Sequence, residues 1–392
     1  MRIAFACNPA HGHLLPLLPL ALAARDAGHD VVVLGGRSLE PTLAVAGLAH
    51  VEAGPPDLPA VFAAVPEAAE QTGRSLAVLI WSRGFAGFVA PALADGVLDL
   101  ARSWRPDILV HDDSEQGTWL AAEVLGIPHV ALQATAWRGV MVRLSEDPLG
   151  ALGARLGLPP DPGLARWHRH GFLATRPPSL LNAADPLPPT ARPLRPRPMD
   201  EAGFELPEWL LAPRARPRVA VTLGTVGPSR ADGVAALVAA LAPLDAEIVA
   251  TVGADLDPAH LGPQPANVHV AAYLPMSGLL PASDLVVFHG GSGTMLAAAG
   301  AGVPMLLLPV AADQPENAAR CAAAGIARVL PASERDPSTM RDAVEAMLGE
   351  PAWRLAAARV QAEIEAMPGP FHVLPSLERL AAAGPDGVIE PA

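Results

Sequence analysis

Short apolar runs alternate with longer amphipathic ones along most of the chain. Arg2–Cys7 is apolar, Leu14–Ala27 has helical spacing, and His29–Leu34 is a second apolar run after the Gly28 stop signal. Together they predict a strand, a helix and a parallel strand. The pattern resumes with a strand over Asp107–His111, a helix over Gly117–Leu125 closed by Gly126, and a strand over Pro128–Leu132. A proline- and arginine-rich stretch, Pro177–Pro217, has neither period and reads as a connection that continues no helix or sheet. Beyond it come predicted strands at Arg218–Leu223, Ala246–Val252, Val268–Ala271, Asp284–Phe288 and Met305–Leu308. Helices are expected at Ala231–Ala242, Thr294–Ala301, Gln314–Ala324, Pro351–Ala366 and Leu374–Ala383. Strands this short and uniformly apolar suit parallel sheets covered on both faces. The expected fold class is therefore α/β, with two doubly wound Rossmann-like domains whose strand ends face a central cleft. The expected division is an N-terminal domain over 1–200, a linker over 201–216, a second domain over 217–370 and a C-terminal helix over 371–392 that packs back on the first.

Composition narrows the function. A length of 392 residues suits two domains, each with its own core. Lys plus Arg total 27 against 40 Asp plus Glu, a net charge of −13 that disfavours nucleic acid as a partner. At 51% hydrophobic and 17% charged residues the chain is too apolar for disorder. Its most apolar stretches, Leu14–Ala24 and Val303–Ala312, are about ten residues long, short of the roughly 18 that span a bilayer. Asn8, His11 and His13 interrupt the N-terminal apolar run, so no signal peptide is expected. The two cysteines, Cys7 and Cys321, build no disulfide framework, which fits a cytoplasmic protein. All basic residues are arginine, which excludes Schiff-base and Walker lysine chemistry.

Two motifs follow predicted strands in the second half. HGGSGT, His289 to Thr294, stands between a strand and a helix start. Its glycines let backbone N–H groups approach an anion, and the helix N-terminus favours negative charge, so a diphosphate is the natural guest. Asp313-Gln314 opens another helix, with Asn317 one turn on. This pair suits vicinal sugar hydroxyls, although taken alone it is better explained by Asp313 as an ordinary helix N-cap.

The run from Tyr273-Leu274-Pro275 through HGGSGT, Gly302-Val303-Pro304, Pro309, Asp313-Gln314 and Asn317 resembles the nucleotide-sugar signature of glycosyltransferase family one, the inverting GT-B enzymes. The resemblance implies a nucleoside-diphosphate sugar, TDP- or UDP-linked, as co-substrate, with no cofactor and no metal. It places donor contacts on Thr222, Gly224, Thr225, Tyr273, Leu274, His289, Gly291, Ser292, Gly293, Thr294, Asp313 and Gln314. Plant members carry a Glu where this chain has Ala297, a departure that favours a thymidine donor over a ribose-gripping one. In the N-terminal half, Asn8 to Pro16 resembles the family's HGHxxP segment, which makes His13 the general base, with His11 as competitor. The family's PDxxxxD segment falls on Pro106–Asp112, so Asp112 is the candidate orienting carboxylate, with Asp113 adjacent. The reaction implied is inverting transfer of a (deoxy)sugar to a hydroxyl of a natural-product aglycone in antibiotic biosynthesis.

The acceptor is expected on the segments Pro55–Pro91 and Thr135–Phe172, where Trp81, Phe85, Trp137 and Met141 offer apolar surface that core packing would also explain. Asp255-Leu256-Asp257 matches the metal-binding DxD of the other glycosyltransferase fold but sits in a proline-terminated turn and is read as a decoy. His168 and His170 read as surface or acceptor-loop residues. The expected assembly is a monomer or homodimer. A GT-B nucleotide-sugar epimerase and a self-resistance UDP-glucosyltransferase are the alternative functions.

Overall fold

The computed structural model describes residues 1–392 apart from 138, 201–203, 205, 224–229, 254 and 255, and the side chains of Arg230 and Ala231. Gly224, Thr225 and Asp255, named above, lie outside the described residues. The chain forms two compact units. The first comprises Met1–Arg176, Asn182–Pro196 and Met367–Ala392, and the second Pro177–Leu181 and Arg197–Ala366.

The first unit holds seven strands: β1 (Arg2–Ala6), β2 (Asp30–Gly35), β3 (Ala49–Glu52), β4 (Ile108–Asp112), β5 (His129–Leu132), β6 (Phe172–Ala174) and β7 (Ala191–Pro193). They form one parallel sheet in the order β3-β2-β1-β4-β5-β6-β7. The second holds β8 (Arg218–Thr222), β9 (Glu247–Thr251), β10 (Val268–Ala271), β11 (Leu285–Phe288), β12 (Met305–Leu307) and β13 (Ala327–Val329), parallel in the order β10-β9-β8-β11-β12-β13. Each order reverses direction once, at β1/β4 in the first sheet and at β8/β11 in the second. At such a reversal the connections leave on opposite faces and open a crevice beyond the strand ends, where ligands bind in doubly wound folds. The HGH segment follows β1 and Asp112 ends β4, while Thr222 ends β8 and His289 follows β11. Both sets of chemistry-bearing residues therefore sit at a switch point.

Several elements depart from the sequence expectations. The proline- and arginine-rich stretch does enter a sheet: Ala191–Pro193 is the edge strand β7, a position where proline's missing N–H costs no ladder bond. The helix expected over Leu14–Ala27 is two helices, His11–Leu14 and Leu18–Asp26, with Pro19 near the start of the second. The segment around Trp81 is a continuous helical run, Gly73–Leu79, a π-helical stretch Ile80–Val89, and Ala90–Ala101. The Ala90 N–H donates to Phe85 O, five residues back. Pro91 has no N–H and its ring crowds the carbonyl four residues earlier, which the wider π turn relieves. Contrary to the estimate that apolar stretches end at about ten residues, this run is long and apolar enough, by length and composition, to cross a membrane. Its Phe85, Ala86, Val89, Leu93, Ala94 and Val97 instead lie in the core of the first unit. Gly117, which opens the helix Thr118–Leu125, marks its close approach: a Cβ there would lie 2.0 Å from Ala90 O.

The helix Pro370–Ala383 belongs to the first unit and packs on Leu18–Asp26, with His29 Nε2 3.0 Å from Glu378 Oε1. The segment Pro177–Leu181 is held in the second unit by Ser179, whose N–H and hydroxyl donate to Glu363 at 2.9 and 2.5 Å.

Candidate active site

At the first switch point, His13 lies on the short helix after β1 and its Nδ1 is 3.3 Å from Asp112 Oδ1 and 2.9 Å from Ser114 Oγ. Asp112 is fully buried. Its Oδ1 accepts from the N–H groups of Ser114 (2.8 Å) and Glu115 (3.0 Å) and from the Ser114 hydroxyl, and its Oδ2 accepts from Asn8 N–H (2.9 Å). Burial opposes the carboxylate charge, but His13 and these hydrogen bonds outweigh it and hold the Asp112 carboxyl below its usual range. An anion so fixed holds a histidine by Nδ1–H and leaves Nε2 as the basic nitrogen.

The open choices of the sequence narrow geometrically. Asp113 turns away from His13 and accepts from Ala134 N (3.0 Å) and Thr135 N (3.3 Å) beyond β5. Burial, with the neighbouring Asp112 charge, pushes it up to about 7. His11 is exposed and its Nε2 meets Thr42 Oγ1 at 3.0 Å. Sequence reasoning missed Glu115, buried and accepting from Gly117 N (2.6 Å) and Thr118 N (3.1 Å) at the helix start. Burial pushes this carboxyl up to about 7 as well. It also missed Ser114 and Asn8. Nothing in their local sequence marks them, because their partners lie about a hundred residues away in the chain.

An aromatic wall adjoins His13. The Phe85 ring meets His13 edge-on at 5.6 Å and Trp81 at 6.4 Å. Trp81 Nε1–H donates to Met141 O (2.9 Å) and Ser145 Oγ (2.8 Å), joining the π-helical stretch to the helix Gly139–Arg155. Phe85 thus links His13 to Trp81, and the Met141 carbonyl joins them through Trp81. Trp137 stands apart, packed on His168 (5.2 Å) and Phe172 (5.5 Å), with its Nε1–H on Pro186 O.

At the second switch point, Gly291 is the N-cap of the helix Ser292–Gly300 and offers no capping side chain. The first N–H groups of that helix, those of Gly293 and Thr294 among them, find no acceptor within it. Gly290 has φ +92°, a conformation that L side chains rarely adopt. His289 is largely buried, and burial pulls its pKa down against the opposing Asp313 charge. Asp313 does not cap its own helix, Gln314–Ala323; it accepts from Ser292 Oγ at 2.5 Å. Gln314 Oε1 accepts from Val310 N (2.8 Å) and Ala311 N (3.0 Å), which directs its amide NH₂ away from that turn. Asn317 Nδ2 donates to Gly290 O (2.8 Å) and Ser292 Oγ (3.2 Å), tying the two turns together. Ala312 takes φ +56°, strained backbone beside Asp313. Thr222 is buried at the end of β8, Leu274 is buried, and the Tyr273 ring meets Phe204 at 5.4 Å.

The remaining motifs take structural roles. Asp257 accepts from Ala259 N (2.9 Å) as the N-cap of Pro258–Leu261. His168 and His170, expected as surface or acceptor-loop residues, pack with the fully buried His129, Trp119 and Trp167. Burial takes His168 down to about 3. Glu123, His129 and His170 offer ligand atoms within 4.8 Å of one another. However, Arg169 Nε is 2.8 Å and Arg166 Nη1 3.8 Å from the Glu123 carboxylate, and the His170 nitrogens meet His129 N and Pro385 O. A carboxylate already paired with two guanidiniums suits a clasp better than a cation.

Residues 22–224 match the N-terminal domain and 235–380 the C-terminal domain of the erythromycin biosynthesis protein CIII-like family. Tylactone mycaminosyltransferase of Streptomyces fradiae is 32% identical over 99% of this chain and 94% of its own. The glycosyltransferase SnogD from Streptomyces nogalater superposes with a TM-score of 0.79 at 32% identity, covering 97% of this chain and 99% of that one. The glycosyltransferase VinC in complex with dTDP gives 0.81 at 27% identity, covering 98% and 100%. The chain belongs to the erythromycin biosynthesis protein CIII-like family and is a GT-B natural-product glycosyltransferase.

Proposed function

We propose that the protein transfers a deoxysugar, with inversion, from a thymidine-diphosphate sugar to a hydroxyl of a large apolar aglycone in the cytoplasm, as a monomer or homodimer. The observation that carries this reading is the contact of His13 Nδ1 with the buried Asp112 carboxylate. His13 Nε2 takes the acceptor hydroxyl proton as the oxygen attacks the anomeric carbon. The bond from that carbon to the diphosphate oxygen breaks on the opposite face, which inverts the centre. Negative charge grows on the departing diphosphate, and the Ser292–Gly300 helix start answers it with backbone N–H groups and His289. Asp313 and the Gln314 amide hold sugar hydroxyls. The wall of Trp81, Phe85 and Met141 receives the aglycone. The thymidine donor is supported by the complex of VinC and by Ala297, a buried residue with no carboxylate to grip a ribose. No step calls for a metal or a cofactor.

The test is donor turnover with thymidine- and uridine-diphosphate sugars and macrolide or polyketide aglycones. Nucleoside diphosphate released in step with an inverted glycoside is expected, unaffected by chelator. Isomerisation of the donor without acceptor would replace this reading by an epimerase. Loss of activity on chelation would reopen the case for a metal.

A further inference from the structure

We infer that Ser114 is a positioning residue that fixes the tautomer of His13; the inference rests on the proposed role of His13 as base. The Ser114 hydroxyl is fully buried and has three partners: Asn8 Nδ2 at 2.9 Å, His13 Nδ1 at 2.9 Å and Asp112 Oδ1 in a short contact. A hydroxyl has one proton to donate and two lone pairs to accept with. The Asn8 amide nitrogen can only donate, so it takes one lone pair. The Asp112 oxygen, held ionised, can only accept, so it takes the proton. The remaining lone pair faces His13 Nδ1, which must then carry the hydrogen. The opposite arrangement, serine donating to His13, would set two lone pairs against each other at the Ser114–Asp112 contact. One proton pattern therefore satisfies all three neighbours, and it leaves Nε2 with the lone pair that a base needs.

Asp112 alone specifies this less firmly. Its Oδ1 already accepts from two backbone N–H groups and the serine, and its distance to His13 is 3.3 Å, against 2.9 Å for Ser114. Ser114 is thus the nearer acceptor for Nδ1–H, both in the neutral ring and in the imidazolium formed as the acceptor proton arrives. Buried and meeting the ring at Nδ1, it acts through His13 rather than on the transferred groups.

The test combines kinetics with nitrogen NMR of the full-length protein labelled with ¹⁵N-histidine. Ser114→Ala should lower kcat about tenfold with both KM values within about twofold of wild type, and Ser114→Thr should restore it. The His13 ring should show the Nδ1–H form in wild type and Ser114→Thr, and mixed tautomers in Ser114→Ala. Wild-type kcat in Ser114→Ala, or an unchanged His13 tautomer, would overturn the inference. The NMR measurement needs no turnover, so it decides the role of Ser114 even if no sugar is transferred. Full activity in His13→Ala would instead overturn the base assignment on which the inference depends.

Discussion

The two switch points solve opposite electrostatic problems. At the end of β4, three carboxylates, Asp112, Asp113 and Glu115, are buried within four residues, and only Asp112 is held below its usual range while the other two are pushed up to about 7. After β11, the turn His289–Thr294 contains no carboxylate and presents glycine backbone and a helix start. His13, the proposed proton acceptor, is backed by a single stabilised anion, while burial shifts the neighbouring Asp113 and Glu115 carboxyls up toward their protonated forms. The turn proposed to hold a diphosphate offers backbone dipoles, with the neighbouring carboxylate, Asp313, engaged by Ser292 Oγ, and a chain with a net charge of −13 and no lysine has little bulk positive charge to lend. The first site should therefore be sensitive to charge and protons, and the second to backbone shape.

The largest effect expected is in His13→Ala. A positioned base contributes about 10²- to 10⁴-fold, so kcat should fall by that order. Thymidine diphosphate affinity, measured by calorimetry, should stay within about twofold of wild type, because the nucleotide is assigned to the other unit. A matching loss of nucleotide affinity would break the division of labour between the two sites.

Shape is probed by Gly290→Ala. At φ +92° an alanine is strained by about 1–3 kcal/mol, and its Cβ would also stand 3.4 Å from Gln314 O. Nucleotide affinity and the melting temperature of the second unit should both drop, while acceptor binding should not. Unchanged nucleotide affinity would show that the turn tolerates another backbone path.

Protons are probed by Asp113→Asn. The Asp113 carboxyl is raised from 3.8 to about 7 in the folded protein. Between about pH 4 and pH 7 the unfolded chain has released this proton and the folded chain has kept it, so wild-type stability falls as pH rises through that window. The slope for one such group is about 1.4 kcal/mol per pH unit, and it vanishes above the folded pKa. Asparagine keeps the acceptor for Ala134 N and Thr135 N and does not titrate. Urea unfolding should therefore show the variant gaining on wild type from pH 4 to 7, with a constant difference beyond. A difference independent of pH would mean that Asp113 is ionised in the folded state.

These effects also mark how far the sequence could be read. Apolar strands such as Arg218–Thr222 and compact motifs such as HGGSGT carry their signal locally, so the doubly wound architecture and a glycine turn opening a helix after β11 were legible. Strands as short as Val268–Ala271 and Met305–Leu307 were legible too, whereas Phe172–Ala174 and Ala191–Pro193, in or beside the proline-rich stretch, show no strand pattern of their own and exist because a neighbouring strand pairs with them. The π-helical stretch Ile80–Val89 depends on Pro91 and on packing against Gly139–Arg155. The Asn8, Ser114 and Asp112 network joins residues across 104 and 106 positions, a distance no local pattern spans. His168 and His170, read as surface or acceptor-loop residues because imidazole looks polar in sequence, are packed against Trp167 and His129.

The smallest effect is expected in His11→Ala, and it sharpens the comparison within one motif. His11 and His13 share a four-residue helix, His11–Leu14, and residues two apart on a helix point roughly 200° away from each other. When His13 turns its Nδ1 to the buried Asp112, His11 is forced outward, where its ring meets Thr42 at 3.0 Å. An exposed side chain with one weak polar contact contributes within about 0.5 kcal/mol to stability. It has no carboxylate behind it to fix a tautomer. Transfer rate in His11→Ala should stay within about twofold of wild type and its melting temperature within about a degree or two. A loss comparable to that of His13→Ala would mean that the exposed ring, with no buried anion behind it, moves the proton, and the electrostatic contrast between the two switch points would no longer explain where the base lies.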